Sequence, residues 1–521
     1  MTDVRWHKIT TVTFIMAMAG YIFVSWFVTQ DGTRGTFDSI QMSHIFGIDD
    51  AYRFYLSSEL FSNIGMWFWS YYLPGNFVID GFLSLLTGHD QFIMRSSHII
   101  LYLSGIWLTQ KSGLRLGIPY KWIWLSSIIL LLMPLNILIS MSFYGELLLA
   151  FLIGLSIYAH TYKIPSLAIA SISIMPFIRP EGAFYLMAVF FNKIINKKYK
   201  ESILIATPSL IYIFFIAVHF DFDIIDYFYW RVALVLFTSY LPGHANQIYN
   251  VVEPFFTINI AWWVIGFTGL FLSSVKVLRP LFFGATIVIF FYVVGAFFSG
   301  RNETRYFFSI FPLFMISQAS AFFCIENILR KNNVRLAKHI VYTIIAFILF
   351  ENLLQVDVLR NRYFNGKRFP ITIVSGGRES FQIQNGEMIY KLTAQVKRII
   401  LTHAKKNKNI DKVIIHPLPL LYEIKRSELP SRIELDFSFI DSRGVNDYLS
   451  GHFFTIFPEK EQYSIIKFYP SKYKYNSNSK KEALYIDYSF GRPSNDKGLS
   501  PIFSNELYKV YLVTYQTYSY H

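Results

Sequence analysis

The feature that most constrains this chain is a series of long apolar segments separated by short polar stretches. The first runs from Thr11 to Val28, and ten more follow at 97–109, 122–141, 143–160, 165–178, 183–192, 202–218, 257–275, 280–298, 305–323 and 339–356. An upright helix needs about 20 apolar residues to cross a bilayer, so the shorter segments must be tilted or re-entrant. The sequence therefore predicts a polytopic α-helical membrane protein with about eleven transmembrane or re-entrant segments.

Composition and the position of basic residues support this topology. Only 16% of the residues are charged and 53% are hydrophobic, whereas a soluble domain has about a quarter charged residues. Basic clusters lie at Arg5 and Lys8, at Lys111, Arg115 and Lys121, at Lys163, from Lys193 to Lys200, at Lys276 and Arg279, and from Arg330 to Lys338. With eleven crossings every cluster falls on the cytoplasmic side, as the positive-inside rule requires. Regions 29–95, 219–256 and 299–306 are then predicted to lie outside.

The last third of the chain has a different pattern. After a membrane module at 1–356, residues 357–521 contain short alternating apolar stretches and one amphipathic helix at 387–405, which predict an extracytoplasmic α/β domain. Lys and Arg outnumber Asp and Glu there by 25 to 16. This excess of positive charge favours binding of anionic lipid headgroups or phosphorylated substrates. Alternatively, it belongs to the ordinary solvated surface of a lysine-rich protein. The charge is not accompanied by a basic-aromatic motif, so no nucleic-acid partner is predicted.

Two adjacent carboxylates follow the first apolar segment. Asp49 and Asp50 lie in Gly-Ile-Asp-Asp-Ala-Tyr at 47–52, in the predicted outer loop 29–95. Carboxylates at this position, next to a bundle of membrane helices, indicate chemistry at the bilayer surface. Adjacent side chains point in different directions, so one Asp is expected to act in the chemistry and the other to cap the following helix.

A second charged motif lies in the middle of the apolar segment around 165–192. Basic residues flank this segment at both ends, so its centre, Phe-Ile-Arg-Pro-Glu-Gly-Ala at 177–183, is predicted to be the tip of a hairpin of two short helices. Pro180 and Gly182 suit such a turn. Arg179 and Glu181 either form an ion pair that holds the tip, or Arg179 binds a phosphate group through its planar guanidinium.

Further charged residues lie near the outer ends of later segments. Arg301, Glu303, Arg305 and Tyr306 form a polar stretch immediately before the tenth segment. This stretch favours a rim that binds phosphate or sugar, although an interfacial Arg and Tyr are also common membrane anchors. Glu146, at the outer start of the fourth segment, is an intramembrane carboxylate that needs a partner.

Taken together, these motifs resemble one known superfamily. Asp-Asp-Ala-Tyr at 49–52, Arg-Pro-Glu-Gly at 179–182 and Glu-Thr-Arg-Tyr at 303–306 occur in an order that resembles the GT-C integral-membrane glycosyltransferases. The similarity is to bacterial arabinofuranosyl- and mannosyltransferase-like proteins that depend on polyprenyl-phosphate sugars, and it extends over residues 1–356. It implies transfer of a sugar from this lipid-linked donor to a glycan, lipid or protein acceptor in cell-envelope glycan assembly.

The resemblance also implies roles for individual residues. Asp49 or Asp50 would be the general base toward the acceptor hydroxyl. Basic residues would hold the donor phosphate, with Arg179 and Arg305 as candidates. Glu181 and Glu303 would orient these two arginines, and Arg301, Tyr306 and Glu146 would complete the substrate-binding set. The residue types fit this chemistry, because the acceptor loses a proton as the departing phosphate gains charge.

Two other functions remain open at this stage. A flippase or transporter of a lipid-linked saccharide would show internal repeats or polar residues along a transmembrane path. An O-antigen-type polysaccharide polymerase would have many spans but no need for an Asp pair after the first. The expected location is the bacterial inner membrane, with the active face and C-terminal domain periplasmic. No resident metal is predicted, although the outer carboxylates would allow Mg²⁺ or Mn²⁺.

Overall fold

The structure is a computed structural model of the 521-residue chain. It describes residues 3–29, 57, 61, 74–88, 90–140, 142–143, 145–219, 260–270, 273–299, 304–332, 336–364, 386–415, 429–430, 432–436, 452–454, 473–475, 481–488, 501–504, 508–515 and 517–520. The chain divides into two compact units, one of residues 1–26 with 67–380 and one of residues 27–66 with 381–521. The domain boundary between 356 and 357 stays a prediction.

The first unit is helical throughout its described residues. Its α-helices, in chain order, are α1 Asp3–Thr29, α2 Gly75–Thr87, α3 Gln91–Arg115, α4 Tyr120–Leu131, α5 Pro134–Ser140, α6 Gly145–Thr161, α7 Pro165–Ile178, α8 Gly182–Ile195, α9 Tyr199–His219, α10 Ile260–Leu270, α11 Arg279–Ser299, α12 Phe311–Lys331 and α13 Ala337–Phe364. Two 3₁₀ helices, Ser273–Leu278 and Thr304–Ile310, precede α11 and α12.

These helices agree with most of the predicted apolar segments, with two differences. The segment 122–141 is divided into α4 and α5, because Pro134 has no N–H with which to continue the first helix. Part of the predicted outer loop is also helical, since α2 occupies 75–87. At 13 residues, with Asp80 in its middle, α2 is too short and too polar for the apolar-segment criterion to detect.

Close packing of helix backbones depends on glycine. The parallel helices α3 and α6 touch where Gly105 faces Gly154, and a Cβ on Gly154 would collide with the Gly105 backbone. Likewise a Cβ on Gly269 of α10 would collide with Ser317 of α12. Small residues let helix backbones approach each other without an intervening side chain, which is a common way of packing helices in membranes.

One buried carboxylate joins helices at the end of the unit opposite to the sites described below. Glu326 of α12 is buried and pairs with Lys121 of α4 and with Arg330. The indole Nε1 of Trp122 also donates to Glu326, at 3.0 Å. Two cations and one neutral donor therefore compensate this single buried charge, which is the condition for a buried ion pair to be tolerated.

Two stretches of the described helices are long and apolar enough to cross a bilayer, Lys276–Val293 and Tyr306–Lys331. Shorter apolar helices occur throughout the unit, among them α4, α6, α7 and α8. The second stretch is mostly buried inside the protein. The predicted number of eleven segments stays a prediction.

The second unit contains a helix and two sheets. Helix α14, Gly386–Lys406, covers the predicted amphipathic segment. The strands are β1 Ile410–Ile415, β2 Glu434–Asp436, β3 His452–Phe454, β4 Tyr473–Tyr475, β5 Lys481–Tyr488, β6 Phe503–Ser504, β7 Tyr508–Tyr515 and β8 Thr517–Tyr520. One sheet has the order β2-β1-β5-β7-β6 and the other β3-β8-β4. In the first sheet β1 is parallel to β2 and β5, whereas β7 is antiparallel to β5 and β6.

Candidate functional site

The predicted hairpin tip lies between α7 and α8. Helix α7 ends at Ile178, Arg179 adopts an extended conformation, and the N–H of Gly182 donates to the Arg179 carbonyl at 2.9 Å to close the turn. A Cβ on Gly182 would collide with the backbone of Met175. The sequence therefore placed the turn correctly, but the requirement for glycine comes from close packing of the two helices.

Arg179 is the centre of a buried ionic cluster at this tip. Its Nη2 and Nε bond to the two carboxylate oxygens of Glu181 at 2.6 and 3.2 Å, and its Nη1 lies 3.1 Å from Oε1 of Glu146. Glu146 and Glu181 are 1% and 3% exposed, and Arg179 is 9% exposed. The two-pronged contact with Glu181 uses the planar geometry that distinguishes Arg from Lys.

Electrostatics in the cluster keep the guanidinium charged. Burial alone would lower the pKa of Arg179, but the neighbouring carboxylates of Glu146 and Glu181 raise it above its usual value. With both glutamates ionised, the three side chains carry a net charge of −1, because two carboxylates surround one cation. The guanidinium of Arg179 is therefore already bound by two carboxylates.

Aromatic rings lie beside the ionic cluster. The Tyr306 ring is 5.6 Å from Cζ of Arg179 and stacks on Tyr292 with ring centroids 4.6 Å apart. A cation near an aromatic face gains electrostatic stabilisation without changing the charge of the cluster. Tyr306 belongs to the 3₁₀ helix Thr304–Ile310, so this residue of the motif before the tenth predicted segment lies at the hairpin tip.

The structure thus brings together four of the predicted site residues from three distant parts of the sequence. These are Glu146, Arg179, Glu181 and Tyr306. The others, Asp49, Asp50, Arg301 and Glu303, and the side chain of Arg305, lie outside the part of the chain that the structure describes. The roles assigned to all nine residues stay predictions.

A second buried polar cluster was not predicted from the sequence. Nε2 of His98, on α3, lies 2.6 Å from Oδ1 of Asp80, on α2, and the two residues are 0% and 2% exposed. Arg95, one turn before His98, is also fully buried, and its Cζ lies 4.2 Å from the centre of the Phe143 ring. The same Phe143 ring meets the His98 ring edge-on, at 5.7 Å. A polar side chain inside each of two apolar helices was the signal that could have identified this cluster.

The two clusters lie at the same end of the first unit. Phe143 precedes α6, and Glu146 lies in its first turn, so α6 begins between them. In addition, α2 starts beside the hairpin tip, since a Cβ on Gly75 would lie 2.6 Å from the carbonyl oxygen of Phe177. Helix α2, inside the predicted outer region 29–95, therefore begins with a residue that contacts α7 two positions before Arg179.

Neither cluster has the composition of a metal site. Within the described ranges, no group of three His, Cys, Asp or Glu side chains is arranged to hold a metal ion. The possible use of Mg²⁺ or Mn²⁺ stays a prediction, because Asp49 and Asp50 lie outside those ranges.

The second unit presents a basic groove along α14. The groove, of about 340 Å³, is lined by Lys397, Arg398, Leu401, Thr402 and Lys405. The opposite side of the helix is buried through Val396, Ile400 and Ala404. Three cations on one open surface make this groove, which we call the α14 groove, attractive to anions.

Comparisons with known proteins identify the fold. No family model and no curated protein matches the sequence. Two crystal structures of ArnT from Cupriavidus metallidurans match the structure, one bound to undecaprenyl phosphate and one in the apo state. Each has a TM-score of 0.55, is 11% identical in sequence and covers 96% of this chain. The matches cover 97% and 98% of the respective ArnT chains. The chain thus has an ArnT-like fold over nearly its whole length.

Proposed function

We propose that this chain is a membrane glycosyltransferase that moves a sugar from a polyprenyl-phosphate-linked donor to a glycan, lipid or protein acceptor. The observation that carries the proposal is the fold shared over 96% of the chain with ArnT, a protein crystallised with undecaprenyl phosphate. The buried charges at one end of the helical unit support it, because charges inside an apolar bundle are costly and are retained mainly for function.

In the proposed reaction, Asp49 or Asp50 takes the proton of the acceptor hydroxyl. The acceptor oxygen forms a bond to the anomeric carbon of the sugar as the bond from that carbon to the phosphate oxygen breaks. The electron pair of the broken bond stays on the polyprenyl phosphate, which leaves with one more negative charge. A general base and a cation near the leaving group are the two catalytic groups that such a transfer requires.

Within this scheme the Arg179 cluster has an organising role. Glu146 and Glu181 already occupy the guanidinium, so its N–H groups are engaged by carboxylates. We therefore assign Arg179 to holding the hairpin tip against α6 and Tyr306, and Arg301 and Arg305 remain candidates for the donor phosphate. The proposed location is the bacterial inner membrane, with the transfer on its periplasmic face.

The experiment is transfer of radiolabelled sugar from a pool of polyprenyl-phosphate sugars by the purified full chain. Asp49→Asn and Asp50→Asn remove each candidate base and preserve size. Asp90→Asn is the matched control, because Asp90 only caps α3 by accepting from the Ile93 N–H at 2.8 Å, and Asn caps equally well. We expect one of the first two variants to lose transfer by a factor of about 100 or more while the control keeps it.

Two results would contradict this proposal in different ways. If both variants transfer as fast as the wild type from a donor that it uses, the assignment of the base is wrong. If the wild type transfers nothing from any polyprenyl-linked donor, the glycosyltransferase function itself is wrong, and translocation of a lipid-linked saccharide becomes the function to test.

A further inference from the structure

The positive charge of the second unit is concentrated along one helix and the turn that follows it. Residues 388–410 contain six Lys and Arg side chains and no Asp or Glu. This stretch alone supplies six of the nine charges by which Lys and Arg outnumber Asp and Glu over residues 357–521. The six residues are Lys391, Lys397, Arg398, Lys405, Lys406 and Lys408. The basic excess is therefore a local feature of α14 rather than an average property of the surface.

The structure places four of these cations at the surface. Arg398 and Lys405 are exposed and line the α14 groove, with the half-buried Leu401 between them. Residues at positions i, i+3 and i+7 of a helix lie on one face, so these three side chains share the outer face of α14. Lys406, next in the chain, and Lys408, in the turn after the helix, are exposed as well.

The end of α14 already has a cation of its own. The Nη2 of Arg432 donates to the carbonyl oxygens of Ala404 and Asn407, the latter at 3.0 Å. A cation in this position stabilises the C-terminus of a helix. Arg398 lies about two turns before the end, where the effect of the helix dipole has faded. Helix stability therefore does not account for the row of cations, whereas an anionic partner does.

The first unit indicates which anionic partner the row would meet. Two of its helical stretches are long and apolar enough to cross a bilayer, and the second unit is joined to them in one chain. Tethering of this kind raises the effective concentration of a bilayer surface around the second unit. Each Lys or Arg near an anionic bilayer raises the affinity for it about five-fold.

We propose that the outer face of α14 docks the second unit on the anionic lipid headgroups of the membrane that holds the chain. The docking is electrostatic rather than insertive, because the apolar side of the helix, Val396, Ile400 and Ala404, is buried inside the unit and does not reach the acyl chains. The contact is therefore reversible and weakened by salt. It goes beyond the proposed sugar transfer and does not depend on that reaction.

The test measures whether lipid covers the groove in the full chain. Cys324, the one cysteine of the sequence, is replaced by Ala, and a new thiol is introduced by Thr402→Cys inside the groove. Ser504→Cys, at an exposed position of β6, is the matched control. Each chain is placed in lipid nanodiscs of phosphatidylcholine alone or of equal parts of phosphatidylcholine and phosphatidylglycerol. The rate of reaction with a neutral, water-soluble polyethylene glycol maleimide is then compared between the two kinds of disc.

The charges are tested by two double variants of the Thr402→Cys chain. Arg398→Gln with Lys405→Gln removes both groove cations, and Arg398→Lys with Lys405→Arg keeps them. Each variant is compared with itself in the two kinds of disc, so an effect of the neighbouring charges on the reactivity of the thiol cancels.

We expect the thiol at position 402 to react at least about five-fold more slowly in the discs that contain phosphatidylglycerol, and the thiol at position 504 to react equally fast in both. The variant without the two cations should lose most of this protection, and the variant that keeps them should retain it. Salt at about 1 M, which screens charges within about 3 Å, should abolish the protection.

Four outcomes would overturn the inference. Equal rates at position 402 in the two kinds of disc would exclude docking on anionic lipid. Equal slowing at positions 402 and 504 would mean that the protection does not belong to α14. Full protection without the two cations would mean that these charges do not carry it. If dextran sulfate still protects position 402 at the salt concentration that abolishes protection by phosphatidylglycerol, the groove binds an anionic glycan rather than lipid.

Discussion

Replacing Arg179 by Met tests whether the hairpin tip is held together by charge. The substitution removes a cation that bonds to Glu181 at 2.6 and 3.2 Å and lies 3.1 Å from Glu146, and it leaves two ionised carboxylates buried side by side. Removing one partner of a buried ion pair costs about 3–5 kcal/mol. We expect Arg179→Met to lower the free energy of unfolding by an amount in this range.

Neutralising the carboxylates should have a smaller effect. Glu146→Gln changes the net charge of the cluster from −1 to 0 and leaves the two bonds between Arg179 and Glu181 intact. A neutral acceptor in place of a charged one costs about 1 kcal/mol. The triple variant Arg179→Met, Glu146→Gln, Glu181→Gln removes all three of these charges together, so it should recover at least half of the stability that Arg179→Met loses.

The measurement is unfolding of the purified full chain in mild detergent by increasing amounts of sodium dodecyl sulfate, followed by tryptophan fluorescence. Trp122, Trp262 and Trp263 are fully or almost fully buried, so unfolding changes their environment. The reasoning is refuted if Arg179→Met loses less than about 1 kcal/mol, or if the triple variant is no more stable than Arg179→Met. Either result would mean that packing, rather than charge, holds the tip.

Three further perturbations follow from the structure. Gly75→Ala should destabilise the protein by about 1–3 kcal/mol, because the added Cβ would lie 2.6 Å from the Phe177 carbonyl oxygen. Gly20→Ala is the control, because a Cβ at Gly20 would have nothing within 4 Å. Equal effects of the two variants in the same unfolding assay would contradict the contact between Gly75 and Phe177. A hydrogen bond from Lys193 lowers the pKa of Glu201 below its usual 4.5, so this pair stabilises the protein above that pH and the contribution is lost as the pH falls. Lys193→Gln should remove this part of the acid sensitivity in stability profiles from about pH 7 to about pH 2, and an unchanged profile would count against the pair. Changing the three cations of the α14 groove to Gln should weaken the binding of a soluble short-chain phosphatidylglycerol by about 1 kcal/mol per cation. Binding of phosphatidylcholine, which has no net charge, should not change. The same loss of affinity for both lipids would exclude an electrostatic cause.

The hairpin tip shows how far local sequence can predict a site. Basic residues on both sides of 165–192 required the chain to turn in the middle, and Pro180 and Gly182 marked where, so Arg179 and Glu181 could be placed correctly. The pairing of Arg179 with Glu146 could not be predicted. These residues are far apart in the chain and meet only because α6 and α7 pack together.

The Asp80–His98 pair shows the complementary limit. The apolar-segment criterion averages over about 20 residues, and α2 is shorter and contains a carboxylate, so its sequence was assigned to a loop. His98 alone is an ambiguous signal, since a histidine in an apolar helix can be structural or functional. Only the antiparallel packing of α2 on α3 brings Asp80 to its Nε2, and Nδ1 has no hydrogen-bond partner among the described residues.

By itself, the sequence determined the class of the protein and the residues at its turns, because apolar length, the distribution of Lys and Arg, and the backbone limits of Pro and Gly act locally. The tertiary structure alone decided which charges meet. In the low-dielectric interior of the protein, the energy of a charged side chain depends on the charges within a few ångströms of it. These neighbouring charges come from other helices. For this chain that difference separates an arginine enclosed by two carboxylates from a buried histidine paired with one aspartate.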